Sequence, residues 1–501
     1  MKTSIDLKSI LGNKFNLSPT LYQSVYIKNK NKFMLKDLLE RNIKPSDKGQ
    51  EVGSKNYITE STHYFIRTKA LQEESFLLVE NKESVIPINP KAFLKCNLTR
   101  GDILISKDSN VGESVIIEKD YNNYMLSGGI YKLPISKNKY YIYGFLKSEF
   151  FKSQLYTKIS KGATIKHGKT VFLDCEIPFP NQKDSNNLIE YFETIVSTII
   201  EKEVVINEKY NNNNKIFEEE IYSNSKYSYS HPCLNDFIKE SRLNAGYFSN
   251  KFQKHDYFVS EYDKGFEYVT DMGFKISRGQ NLQVSCIGKS LYSDEKIDKF
   301  YTLILPKNLS VYGTVDKYQY LGNPKKLKTL KRGDLIFGAE GFEKGRSLVV
   351  IENLSKTITN IHGITLNCKK GNLEKSIYVK CYLDYLRSIG LIDLYAVGGN
   401  GGSLAIKYWH KIKIPKLEDD LKITICNNYY NKNNILSGNE IRSKAQFIEF
   451  DNKWNKSVGI LQLSHSIYTL KHELNRIIAL IRDDEKVIVD YSKLVKSYAS
   501  K

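Results

Sequence analysis

Three landmarks occur twice along this chain, in the same order and at almost the same spacing, and a chain that repeats itself in this way folds as copies of one unit. LSPTLY from Leu17 returns as LNAGYF from Leu243, and RGDILIS from Arg100 returns as RGDLIFG from Arg332. These two pairs stand 226 and 232 residues apart. Each copy then closes on a Gly-rich turn and a strand ending in Pro, as GATIKHGKTVFLDCEIPFP from Gly162 and GGNGGSLAIKYWHKIKIP from Gly398. A diverged duplication therefore governs the fold.

The segment after each copy reads as a long helix. Leu188, Phe192, Ile195, Ile199, Ile206 and Tyr210 recur at helical spacing, with the polar Lys202 occupying one position of the apolar stripe. Ile460, Leu463, Ile467, Leu470, Leu474, Ile477 and Ile481 alternate at 3 and 4 residues without a break. A helix over 188–210 would extend about 35 Å at ~1.5 Å per residue, and the two helices are expected to pair. The first is followed by NNNNK and a polar run, Tyr222 to His231, read as a linker. The copies themselves are rich in β-branched and aromatic residues between Gly, Asn and Pro turns, and GDILIS, ESVIIE and KYYIYGFL read as sheet. The expected fold class is α+β: two mixed α/β domains separated by two long helices that form an antiparallel coiled coil. Its segments are a first domain over 1–182, a helix and linker over 183–228, a second domain over 229–417, and a C-terminal helix region over 418–501. The last is expected to be interrupted around CNNYYNKNNILSGN.

Charge narrows the function. Lys and Arg number 75 against 56 Asp and Glu, a net of +19, with 64 of the 75 being Lys. Residues 183–222 hold nine acids and four lysines, so the acidic helix segment stands apart from a strongly basic remainder suited to a polyanion. None of the eleven prolines adjoins another, which removes the Asn/Asp/Ser-Pro-Pro-aromatic motif of an amino-methyltransferase. GAEGFEKGRS from Gly338 lacks the spacing of a phosphate-binding loop. The seven Cys contain no CxxC pair and the eight His no HExxH, so no metal site is expected. Glu80 and Lys82 of LLVENK, with Asp47 upstream, are the nearest approach to a nuclease motif; in a chain so rich in acids and lysines they read better as an exposed strand end. The chain is expected to be non-catalytic, without a cofactor of its own. Its start, MKTSIDLKSI, has no apolar core of a leader, and no stretch of ~18 apolar residues occurs, so a cytoplasmic protein with no membrane partner is expected.

In both RGD runs the glycine fits a positive φ and the aspartate a turn cap. The Gly-rich turns carry more functional weight, because small residues let backbone approach a partner while donors crowd beside them. On residue type and loop context the candidate DNA-binding residues are Arg67, Lys69, Lys107, Lys161, Lys166, His167 and Lys169 in the first copy. In the second they are Arg278, Gln280, Arg346, Lys407 and Tyr408.

A duplicated block that begins RLxxxYF (Arg242 to Phe248), carries GDILIS and ends in GAT…IPFP before a long helix resembles the specificity subunits of type I restriction-modification enzymes. The first copy, with GDILISKDSNVG, LSGGIYKLP and GATIKHGKTVFLDCEIPFP, is the closer match; the second has GDLIFGAEGFEKG and lacks the aromatic-Pro ending. The resemblance implies two target recognition domains, each reading half of a bipartite site in double-stranded DNA. It implies two methylation subunits that carry S-adenosylmethionine, and, in cleaving assemblies, restriction subunits with translocase and nuclease activity. Helices that set a centre-to-centre spacing of ~35–40 Å would place the half-sites about one turn of DNA apart. A different reading makes the chain an adaptor of another bacterial defence complex on the same fold, with its binding energy on the helices.

Overall fold

The computed structural model describes residues 25–159, 169–222, 226–341, 344–352, 356–368, 371–398, 402–432 and 441–499. LSPTLY and the candidates Lys161, Lys166 and His167 lie outside them. The chain divides into two compact units, Met1–Val205 with Leu436–Asn455 and His465–Lys501, and Ile206–Ile435 with Lys456–Ser464.

In the first unit, strand Lys32–Met34 pairs antiparallel with Glu176–Pro178 and joins the two ends of the copy. Tyr64–Ile66 runs antiparallel to Val85–Pro87 and parallel to Tyr124–Leu126. Ile103–Ser106, from the GDILIS run, lies between Ser114–Ile116 and Ile130–Leu133, antiparallel to both, with Ile103 opposite Ile116 and Leu133. Ile66, Leu71, Leu104, Val115, Leu126 and Ile130 meet in one core. Ile103–Ser106 and Ser114–Ile116 are buried at every position, hence the nearly unbroken apolar runs of GDILIS and ESVIIE.

The second unit repeats this pairing. Phe266–Tyr268 pairs with Lys413–Pro415, and Phe266 faces Pro415 as Lys32 faces Pro178. Tyr301–Leu303 runs antiparallel to Gln319–Gly322 and parallel to Thr357–Ile358. Leu335–Gly338, from the second GD run, lies between Ser347–Val349 and Gly363–Cys368, with Leu335 opposite Val349 and Leu366. The RGD turns match as well. Gly101 and Gly333 have φ of 87° and 86°, and the carboxylates of Asp102 and Asp334 accept from the backbone N–H of Thr99 and Lys331, each at 2.8 Å. The units differ between their first and second shared strands. There the first unit has short 3-10 turns at Leu35–Leu38, Pro45–Asp47 and Ser54–Asn56. The second instead adds two strands, Phe274–Arg278 beside Gly363–Cys368 and Leu291–Ser293 beside Gln319–Gly322.

KYYIYGFL is a helix, Lys139–Leu146, where the sequence suggests sheet. Its run from Tyr141 to Leu146 is buried throughout, and a short run buried on all sides carries no period that separates helix from strand. Gly144 decides it: a Cβ there would come within 2.5 Å of the Phe192 ring, so the helix lies close against the long helix Ser185–Ile221. The second unit has Leu373–Ser388 at this place.

The long helix has 37 residues, about 55 Å at ~1.5 Å per residue. It continues through the Asn tract that the sequence assigns to a linker. Asn is a weak helix former, but Asn213 is buried and donates to the Ile425 carbonyl at 3.2 Å, and Phe217 packs among Tyr378, Tyr382 and Tyr385 of the second unit. Tertiary burial overrides propensity here. The expected C-terminal helix is Ile460–Arg482, preceded by Asp419–Tyr429 and Lys444–Ser457 and followed by Tyr491–Ala499.

Within the first unit the two long helices run antiparallel. Gln182, before the long helix, exchanges hydrogen bonds with the Val487 backbone, whereas Glu203 pairs with Lys471 at 3.6 Å. Lys202, the polar member of the apolar stripe, is fully buried. It is 2.7 Å from both Asp451 and Asn455, with Tyr498 donating to Asp451. The seam is thus a bundle in which Lys444–Ser457 and Tyr491–Ala499 also take part.

Candidate nucleic-acid interface

The equivalent strands Ile103–Ser106 and Leu335–Gly338 each run into a partly exposed tip, and each tip is held by the same backbone bond to the turn before the neighbouring strand. The Lys107 N–H donates to the Gly129 carbonyl at 2.8 Å, and the Ala339 N–H to the His362 carbonyl at 3.2 Å. The positively charged and acidic side chains that stand here differ between the copies.

In the first unit Lys107 and Asp108 form an ion pair at 3.0 Å, both largely covered. Gly129 leaves no room for a side chain, since a Cβ would fall 2.7 Å from Thr68 Cγ2 and 3.5 Å from Asp108 Cβ. That contact sets the 67–69 turn against the tip. Arg67 and Lys69 are exposed on it; Arg67 donates to the Glu83 carbonyl at 3.2 Å and Lys69 pairs with the Glu83 carboxylate. Lys107, Arg67 and Lys69 are therefore brought together. Lys169 is exposed with φ of 45°, beside the undescribed part of the Gly-rich loop.

In the second unit the added strand brings Arg278 to the tip. Its Nη1 donates to Glu340 Oε1 at 2.6 Å and to the Ile361 carbonyl at 2.9 Å. The other oxygen of Glu340 is 2.7 Å from His362 Nδ1. A carboxylate only accepts, so Nδ1 carries the proton of this bond. Partial burial alone would raise the Glu340 carboxyl, but the bonds from His362 and Arg278 outweigh it and hold it below its ordinary value. Gln280 is beside this cluster, its side-chain oxygen accepting from the Lys328 N–H at 3.1 Å and its amide donating to the Asn281 carbonyl. Lys328 reaches Ser277 at 2.6 Å, and Lys325, Lys326, Lys328 and Lys331 are exposed in succession.

The remaining candidates stand elsewhere. Arg346, the counterpart of Glu113, is half-buried and donates to the Leu309 carbonyl at 2.6 Å. The Arg242 guanidinium lies over the rings of both Tyr408, at 4.4 Å, and Tyr247, at 4.2 Å. Lys407 is exposed, 4.9 Å over the Tyr408 ring. The Asp47 carboxylate is taken up by Arg41 at 2.6 and 2.8 Å, and Glu80 accepts from Tyr121 and Tyr124. Among the described residues no group of three His, Cys, Asp or Glu is placed to hold a metal ion. None of the described helices is long and apolar enough to cross a membrane.

Sequence reasoning missed Asp108, Glu340 and His362. Part of the signal was present, since counting from the two RGD runs places Asp108 opposite Glu340; only the strand register, with Ser106 facing Ile130 as Gly338 faces Gly363, places Gly129 opposite His362.

Each unit also buries a lysine beneath its sheet. Lys147 donates to the carbonyls of Gln72 and Ser114 at 2.9 and 3.1 Å, with Glu113 at 3.9 Å, and burial pushes its amine down to about 8. In the second unit the buried Lys380 donates to the Tyr312 carbonyl and pairs with Asp384 at 2.5 Å.

No protein-family model matches the chain, and no curated protein does. Among solved structures it is similar to the S subunit of a type I restriction-modification system from M. genitalium, at 14% identity and a TM-score of 0.38, over 93% of this chain and 100% of that one. It is also similar to a chain from a study of complex assembly and conformational transition in the type I R-M system, at 12% identity and a TM-score of 0.27, over 92% and 98%. The HsdS subunit from Thermoanaerobacter tengcongensis matches at 10% identity and a TM-score of 0.25, over 90% and 95% of the two chains.

Proposed function

We propose that this chain is the DNA sequence-specificity subunit of a type I restriction-modification system. The observation that carries the proposal is the pair of tips: one strand pairing, repeated in register, presents Lys107 and Asp108 in one copy and Arg278, Glu340 and His362 in the other. A scaffold kept constant beneath donors and acceptors that differ is what two readers of two different sequences require, since base edges are told apart by their donor and acceptor pattern. The net charge of +19 supplies the attraction to the DNA backbone.

In this reading residues 1–182 and 229–417 are the two target recognition domains, each reading half of a bipartite duplex site. Residues 183–228 and 418–501 join them and dock two methylation subunits, and restriction subunits add to the cleaving form. The chain performs no chemistry itself. S-adenosylmethionine is bound by the methylation subunits, which act on adenines where this chain positions them. Arg67, Lys69, Lys107, Lys161, Lys166, His167 and Lys169 serve the first domain, and Arg278, Gln280, Arg346, Lys407 and Tyr408 the second.

The test is single-molecule methylation sequencing of DNA from cells that express the chain with its methylation subunit, against cells lacking only this chain. Loss of methylated adenines at one gapped, two-part motif is the expected result. An unchanged set of methylated motifs refutes the proposal and favours an adaptor that binds protein through its helices.

A further inference from the structure

We propose that Arg278 reads a guanine, and that Glu340 and His362 are the positioning residues that aim it. The inference rests on the DNA-reading function above and names what the second unit recognises at one base pair. An arginine selects guanine by placing two N–H groups on O6 and N7, which requires a guanidinium whose orientation is settled beforehand and whose donor edge is open. Arg278 meets both conditions. Nη1 alone makes its bonds, to Glu340 Oε1 at 2.6 Å and the Ile361 carbonyl at 2.9 Å, which fixes the plane of the group. Among the described residues no hydrogen bond engages Nη2 or Nε, and the side chain is 37% exposed. Glu340 is held in turn by His362 at 2.7 Å, so the aim of the arginine is set from two directions.

The carboxylate decides between a base and a phosphate. A phosphate drawn to Arg278 would stand close to the negative charge of Glu340, whereas the acceptors of a guanine edge carry no net charge and meet no such repulsion. Phosphate contacts fall instead to exposed lysines such as Lys328, which bonds Gln280 and reaches Ser277, the residue before Arg278. Arg278 reaches the tip only through the strand Phe274–Arg278, which the first unit does not have among its described residues. Guanine reading at this position thus belongs to the second half-site.

Selection from a random-sequence duplex library by the full chain assembled with its methylation subunits tests the inference. The unaltered assembly should select a bipartite motif with a required G·C pair in one half-site. Arg278→Ala should lower the preference for that pair by about 10- to 100-fold and leave the other positions selected as before. Arg278→Lys should not restore it, because an ammonium cannot bond two acceptors in a plane. Glu340→Gln should weaken preference at the same pair and nowhere else. In the unaltered assembly, 7-deazaguanine at that pair should weaken binding about 10-fold, a measurement that depends on no variant folding. If Arg278→Ala lowers binding to every sequence alike, the residue is a phosphate contact and the inference falls; a motif unchanged by the substitution also overturns it. An unaltered assembly that selects no motif overturns the functional reading, and this inference with it.

Discussion

The two tips have one backbone and two chemistries. Lys107 and Ala339 make the same bond to the following turn, yet Gly129 in that turn is pressed against Thr68 and has no room for a side chain, while its counterpart His362 carries an imidazole that is 61% exposed. After duplication, the strands that bury their side chains kept their register, and the positions that face outward diverged. Packing couples a core residue to its neighbours, so a change there is felt across the unit. An exposed tip is released from that constraint and can take on a new recognition pattern.

The buried lysines offer the sharpest way to break the comparison. Asp384 accepts from both Lys380 and Ser347 in the second unit, so Asp384→Ala should leave an uncompensated buried charge and cost about 3–5 kcal/mol in urea unfolding. Glu113→Ala in the first unit should cost clearly less, because Lys147 can release its proton. Equal losses in the two variants would show that the lysines are supported alike.

Lys147 also gives a dependence on pH. The unfolded chain holds the proton on this amine to about 10.5, and the folded chain releases it near 8. Between those values the unfolded state binds more protons, so raising the pH through that window stabilises the folded first unit. The gain should be on the order of 2–3 kcal/mol over the whole window, measured against Lys147→Met. A parent and variant whose stabilities run parallel from pH 8 to 10.5 would contradict this.

At the tips, Lys107→Ala should alter base preference in one half-site by about 1–3 kcal/mol and leave the other unchanged, which methylation sequencing reads directly. Changes in both half-sites would mean that the copies do not read separately. Smallest is a change at a feature the copies share. Gly101→Ala and Gly333→Ala place a side chain at φ of 87° and 86°, and each should lower stability by about 1–2 kcal/mol, by similar amounts, in thermal unfolding.

Much of the architecture was legible because it depends on pattern. The two RGD runs located equivalent strands, and their glycines and aspartates do in the structure what turn chemistry requires. The seam of Ile460 to Ile481 is a helix, since its apolar spacing persists for six steps. Residue type also led to Arg278, Lys107, Arg67 and Lys69, which stand at or beside the tips. It did not lead to Glu340 or His362. An acid next to glycines looks like any surface acid until a strand from elsewhere in the chain brings an arginine to it.

The sequence by itself determined that the chain is two copies of one unit, that each is followed by a long helix, and that an acidic helix segment is set apart from a basic remainder. These follow from local periodicity, turn residues and charge, which neighbouring residues express without help. Only the tertiary structure decided that KYYIYGFL is a helix, that the Asn tract is helical, and that Lys202 is neutralised by Asp451 inside a bundle. In each case the deciding contact comes from residues distant in sequence: Phe192 against Gly144, Ile425 with Asn213, Asp451 with Lys202. Burial free energy and the need to pair buried charge act through such contacts, and they outweigh local preferences of a few tenths of a kcal/mol, roughly, per residue.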